Sequence, residues 1–326
     1  MGIAKISLLA FGAMALAFPA LAQEANPAPN ETEAQAETLT IPFDPPLGTP
    51  LRYAMTFEKK GRRGSPPVTM EQELTFKRMG AGYLLTLKHQ TIVVGEFRGD
   101  LTNPRILNAM PAGLRPFIMP LTIELNEAGE MVRMHDWDGV RKALRDLPRT
   151  LAQLEGDSPD SDASKMVEQV MAPMLNASAE DAPALIIRGW PDVMGFGGVE
   201  MEEGEPYEAI GETEDDLALG AVDGSGFMWL TRTDAGHYNF KQTTTYDPES
   251  LAQLTRSVQQ TFANAGGPAP KEITANDPTK ISMIDEINFI FDGKTGLPVS
   301  TIANRIVGAE GEGTGGQVTN IKRIDR

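Results

Sequence analysis

The chain contains no cysteine among its 326 residues. That excludes disulfides, thiolate zinc sites and cysteine nucleophiles, so whatever fold it adopts rests on its core alone. Histidine is nearly as scarce: His89, His135 and His237, with no two at metal-ligand spacing. No G-x-S-x-G elbow occurs, and no S-x-x-K with matching partners. Gly195-Phe196-Gly197-Gly198 misses the G-x-G-x-x-G spacing and follows no good strand. Asp157, Asp160 and Asp162 lack the turn glycine and terminal glutamate of a calcium loop. The expectation is no catalytic residue, no metal site and no cofactor. Positive charge is short as well, with 29 Lys and Arg against 45 Asp and Glu and a net charge of −16. Phosphates repel such a surface, which argues against nucleic acid and anionic membranes as default partners.

Long apolar runs are absent except at the start. Lys5 precedes the apolar stretch Ile6–Phe18, and Ala20-Leu21-Ala22 places small residues where a signal peptidase reads them. Residues 1–22 therefore read as a signal peptide, with Gln23 as the new N-terminus. The stretch is short for a membrane span, and the absence of cysteine excludes lipid attachment after cleavage. The short Ala-rich signal looks bacterial, so the expected destination is the periplasm, with full secretion as the alternative. No later segment is apolar enough to span a bilayer.

Residues 23–40 are polar, acidic and rich in Pro and Ala, and read as a disordered leader. Residues 41–326 read as one β-rich domain. Leu51–Phe57 alternates apolar and polar, as a half-buried strand does. Gln72–Arg78 and Tyr83–Val94 flank the turn Met79-Gly80-Ala81-Gly82, and Leu121–Leu125 and Met131–Met134 flank Asn126-Glu127-Ala128-Gly129. The period then changes. Val140, Leu144, Leu147, Leu151 and Leu154 fall at helical spacing, with a break expected at Pro148. After a linker at 157–162, a second helix is expected over 163–175. Strands return at Tyr207–Ile210, Phe227–Thr233 and Tyr238–Tyr246. Asp247-Pro248 opens a helix bearing Leu251, Leu254, Val258 and Phe262 on one stripe. Ile284–Phe291, Pro298–Val307 and Gln317–Ile324 close the chain as a meander.

The hairpin at 75–83 resembles that at 230–238 in pattern, and the hairpin at 121–134 resembles that at 284–307. Two readings stay open: pseudo-repeats 41–135 and 205–326 joined by a helical segment 136–204, or the small vocabulary of hairpins.

His135-Asp136-Trp137-Asp138 gathers a base, two carboxylates and an indole, but it falls where a strand passes into a helix, and Asp136 is a natural N-cap. Lys59-Lys60-Gly61-Arg62-Arg63 reads as a hydrated hairpin tip. Glu200 to Asp216 holds nine acids and no base, a hydrated loop or a site for a cation or basic partner. Methionine is the one enriched apolar type. Met171, Met174 and Met194, with Trp190 and Phe196, mark the central segment as a candidate cover for an apolar ligand, with glycines around them as hinges. The same residues would otherwise complete the core.

The leader, the hairpins flanking a helical middle, and the turn Phe291-Asp292-Gly293-Lys294-Thr295-Gly296-Leu297-Pro298 resemble exported bacterial β-rich proteins of a family of unknown function. The layout is also similar to the half-barrel periplasmic carriers of lipoproteins. The resemblance implies an envelope protein and transfers no site. The expected fold is α+β: a curved, mainly antiparallel, half-barrel-like sheet covered by a few amphipathic helices. The expected function is non-catalytic binding or carriage of a lipid or other apolar or amphipathic ligand. The alternatives are an envelope structural or interaction protein with a protein partner, and a hydrolase assembled from distant residues.

Overall fold

The computed structural model describes residues 37–61, 66–110, 115, 118–156, 158, 168, 171–172, 174–187, 189–213, 222–264, 281–309 and 313–325. The signal segment 1–22, most of the leader, most of the linker at 157–162 and most of residues 163–173 lie outside the described residues; within the second helix expected over 163–175, the described positions 168, 171, 172, 174 and 175 are helical.

Alternation makes the first strands. In β2 (Leu51–Lys60), Leu51, Tyr53 and Met55 are buried and their neighbours are not. The same period runs through much of β3 (Val68–Met79) and β4 (Gly82–Val94) and through β6 (Leu121–Leu125), and the short strands β5 (Phe97–Asp100) and β7 (Met131–Met134) pair beside them. A short α1 (Pro104–Ala109) buries nothing. The helical middle includes α2 (Trp137–Leu144), α3 (Leu147–Glu155) and α4 (Ala182–Ile186). The helical stretch expected over 137–155, with a break at Pro148, is divided just before Leu147. Pro148 takes an early position of α3, where its missing N–H costs nothing. The second half supplies β8 (Glu200–Glu202), β9 (Tyr207–Thr213), β10 (Val222–Arg232), β11 (Tyr238–Tyr246), α5 (Pro248–Asn264), β12 (Ile281–Phe291), β13 (Pro298–Ala309) and β14 (Gly313–Arg323). Asp247 caps α5, its carboxylate accepting 2.8 Å from the Ser250 amide.

The leader is shorter than the sequence implies. Thr38–Thr40 form a strand, β1, paired antiparallel with β8. Leu39 is fully buried, and Glu37 pairs with Arg232. A three-residue strand with one apolar side chain is too short for periodicity to reveal.

The remaining strands form one antiparallel sheet in the order β7-β6-β4-β3-β2-β14-β13-β12-β11-β10-β9, with β5 beside β4. The sheet is curved and does not close. Its register stacks side chains in rows across the strands. Leu230, Phe240, Phe289, Thr301, Ile321 and Met55 oppose one another in succession on the inner face, and each is no more than 2% exposed. Segment 189–201 lies over this row. Phe196 meets Phe240 edge-on and Phe289 and Phe291 at a tilt, at 5.1 Å between ring centroids in each case. A smaller apolar cluster of Val222, Tyr246, Leu251 and Met283 seats α5 at one end.

The turn after β12 is set by Asp292. Its Oδ1 accepts from the amides of Lys294 and Thr295 at 3.0 and 2.9 Å. Burial raises this carboxyl, but the hydrogen bonds from the Thr295 and Lys294 amides outweigh it and hold the group below the ordinary carboxylate value. Gly296 follows at φ +66°, where an added Cβ would stand 1.6 Å from the Pro42 carbonyl oxygen.

Candidate functional site

All five residues singled out in the central segment face the interior. Trp190, Met194 and Met171 are buried, and Met174 and Phe196 pack against the same core. Trp190 is the largest fully enclosed side chain and meets Tyr53 edge-on at 4.9 Å. The surrounding glycines allow close approach of other groups. A Cβ on Gly197 would fall 2.6 Å from the Ala128 carbonyl oxygen, and one on Gly189 would fall 3.3 Å from Met55 Cε.

Beneath Trp190 runs a buried polar chain. The indole Nε1 donates to Gln72 Oε1 at 2.6 Å, and Gln72 Nε2 lies 3.1 Å from His89 Nδ1. An indole can only donate, so Gln72 must present its oxygen to Trp190 and its amide N–H to His89. His89 Nδ1 is therefore the acceptor of a neutral ring. Burial pushes this imidazole down to about 4. A β-bulge between Glu71 and Gln72 in the pairing of β3 with β4 lies beside this pair. His89 reads as an ordinary strand residue in sequence, and its partner lies 17 residues away on the next strand.

One row further along the strands the inner face opens. Met228, Gln242, Ile287, Ala303, Thr319, Phe57, Val68 and Val94 oppose one another in turn. Ile287 is buried, and the other seven are only half-buried. The strip crosses eight strands, a span of about 34 Å at ~4.8 Å per strand.

The next row is polar: Thr244, Asp285, Arg305, Gln317 and Lys59. Asp285 is buried and accepts from Arg305 Nε at 2.8 Å, Arg305 Nη2 at 2.6 Å and the Tyr246 hydroxyl at 2.8 Å. Burial and the adjacent Asp285 carboxylate both push the Tyr246 hydroxyl up, so it stays protonated. Burial alone would lower Arg305, but its hydrogen bonds and charge pairing with Asp285 prevail and hold it above its ordinary value. The apolar strip thus lies between a sealed aromatic core and a hydrogen-bonded ion pair.

The His135 cluster forms a separate cleft of about 320 Å³, lined by Arg133, His135, Asp136, Asp138, Arg141 and Ser178 among others. Most of its charges are paired, Asp136 being the exception among the described residues. Glu124 Oε1 lies 3.0 Å from His135 Nδ1 and 3.2 Å from Arg133 Nε, and Arg141 meets Asp138. Asp136 occupies the N-cap position of α2 as expected, yet its carboxylate makes no capping bond. Trp137 turns inward and donates to the Ala177 carbonyl at 2.8 Å. His237 stands in the β10–β11 turn as expected, its amide donating to Thr233 Oγ1 at 3.1 Å. The three histidines lie apart, and among the described residues no cluster of three His, Asp or Glu could hold a metal ion.

No family model matches the chain, and no curated protein matches it. Among solved structures, a crystal structure of lipovitellin describing its lipid–protein interactions is 10% identical with a TM-score of 0.37, over 86% of this chain and 25% of that one. The chain thus spans a quarter of lipovitellin's length. Rv2717c from M. tuberculosis is 7% identical with a TM-score of 0.23, over 84% of this chain and 91% of that one. Both are weak structural likenesses, below the level of a shared fold.

Proposed function

We propose that the chain is a non-catalytic envelope protein that holds an apolar or amphipathic ligand, such as a lipid, against the inner face of its sheet. One observation carries this reading: the strip from Met228 to Val94 is apolar at most positions and yet only half-buried, on the face the fold otherwise uses for its core. Apolar surface left partly open on an interior face is where ligands bind. On this reading the segment bearing Met171, Met174, Trp190, Met194 and Phe196 is the roof beside the strip, with Trp190 as its fixed pillar. The signal at residues 1–22 would deliver the chain to the periplasm, or outside the cell.

Native mass spectrometry of the exported protein tests the reading. The expected result is a mass beginning at Gln23 with a co-purified apolar ligand that organic solvent removes. A ligand-free protein that also fails to bind the neutral probe N-phenyl-1-naphthylamine would end it. An envelope interaction protein is the second reading, favoured by Phe227 and Ile302, which stand about half exposed on the outer face. Capture of a protein partner lost on Phe227→Ser, without any bound ligand, would favour it.

A further inference from the structure

We infer that the ligand is an anionic amphiphile, its hydrocarbon tail against Phe57, Ala303 and Met228 and its acidic headgroup at Lys59. This rests on the reading that the inner face holds a ligand, and it adds the charge of that ligand. The sheet segregates its charges by face. Glu58, Glu71, Glu73, Glu124, Glu208 and Glu286 all occupy outer-face positions of their strands. Among the described residues of the large sheet, Asp285 is the one carboxylate on the inner face, and Arg305 and Tyr246 already engage it.

The inner-face cations differ in what they meet. Arg232 and Arg323, toward the other end of the strands, pair with Glu37 and Asp325. Lys59 has no ion-pair partner among the described residues. It is half-buried, two residues beyond Phe57 on the same face of β2. It sits directly opposite Gln317, which in turn opposes Arg305. An unpartnered ammonium, partly withdrawn from water and bordered by apolar strip, is stabilised by an anion whose tail covers that strip. Carboxylates held to the outer face leave that position free of competing negative charge. A chain with net charge −16 would be expected to repel anions, and the segregation creates a local exception. The row order, with apolar residues beside Lys59, matches a molecule with a tail and a charged end.

The test uses residues 23–326 and three ligands with one tail: dodecanoate, dodecanol and dodecyltrimethylammonium, measured by titration calorimetry or probe displacement. Dodecanoate should bind about fivefold more tightly than dodecanol, the scale of one partly exposed ion pair, with the cation weakest. Lys59→Glu should abolish that preference in a protein that still unfolds cooperatively, and Lys59→Arg should retain it. Equal binding of all three ligands, or an unchanged preference in a folded Lys59→Glu or Lys59→Gln protein, overturns the inference while the carrier reading stands. Failure of all three to bind overturns both.

Discussion

The side chains of Trp190 and Gln72, 118 residues apart in sequence, meet in a 2.6 Å hydrogen bond beneath the aromatic core. That contact ties the central segment to the sheet and fixes the direction of the amide, and through it the tautomer of His89. Removing the ring should be costly. Trp190→Ala should lose about 3–5 kcal/mol of stability, the range for a large aromatic in a core. Trp190→Phe keeps most of the volume but strands the buried Gln72 oxygen, a loss of about 1–3 kcal/mol. Urea unfolding measures both. A loss below about 1 kcal/mol for the alanine variant would show that the segment lifts away without the sheet noticing.

His89 makes stability depend on acidity. Its pKa in the folded chain is about 4, below the ordinary imidazole value of about 6.5. Between these values the unfolded chain binds the proton and the folded chain does not, so stability falls as pH falls. The contribution is full above pH ~6.5 and is lost on descent toward pH ~4, at a slope approaching ~1.4 kcal/mol per pH unit. Once protonated, both ring nitrogens donate, and Nδ1 would then face the donating amide of Gln72. Thermal melts at pH 7, 5.5 and 4.5 should show this fall in the parent and a shallower one in His89→Gln. Equal slopes would remove His89 as the cause.

Asp285 and Arg305 should be far more sensitive singly than together. Arg305→Met leaves a buried carboxylate with only the Tyr246 hydroxyl, at a cost of about 3–5 kcal/mol. Asp285→Leu combined with Arg305→Met removes both charges and should recover most of that loss. A double-mutant cycle by denaturant unfolding decides it. Additive losses would mean that the two side chains contribute independently.

The Gly296 turn offers a backbone test. Any Cβ there meets the Pro42 carbonyl, and the left-handed φ adds ~1–2 kcal/mol of strain. Gly296→Ala should therefore loosen residues 41–44, whose Asp44 amide bonds to the Thr295 carbonyl at 3.0 Å. Faster amide exchange at Asp44 than at Phe289 would report it. Unchanged protection at Asp44 would contradict the packing described.

The antiparallel, helix-covered fold was legible because alternation at Leu51, Tyr53 and Met55, and helical spacing at Leu144 and Leu147, are local signals. Strand order was not. Nothing near Phe57 announces Thr319 as its neighbour, so the strip on the inner face, and the isolation of Lys59, exist only once register is known. Trp190 and Phe196 stand out by size, but the hydrogen bond to Gln72 and the tilted ring contact with Phe289 depend on residues distant in the chain. The cluster at His135 is conspicuous for the opposite reason, since adjacency in sequence is easily seen even where His135 and Asp138 are already held by Glu124 and Arg141. The strand at Thr38–Thr40 escaped because its pairing partner, Glu200–Glu202, lies far along the chain.

The pairing of β14 with β2 has a consequence for how the chain acquires its shape. Gln317 opposes Lys59, so the first long strand waits for the last one. As the chain is made, Leu51–Lys60 emerges early with one rim bound by β3 and the other bare, and that bare rim is an aggregation template. Closing the seam encloses nearly the whole chain in a loop, and such non-local pairing is slow. The two hairpin arrays can each form early, but they become one sheet only when Gly313–Arg323 arrives. A chain that stops short of that strand is left as two arrays, each with a raw rim.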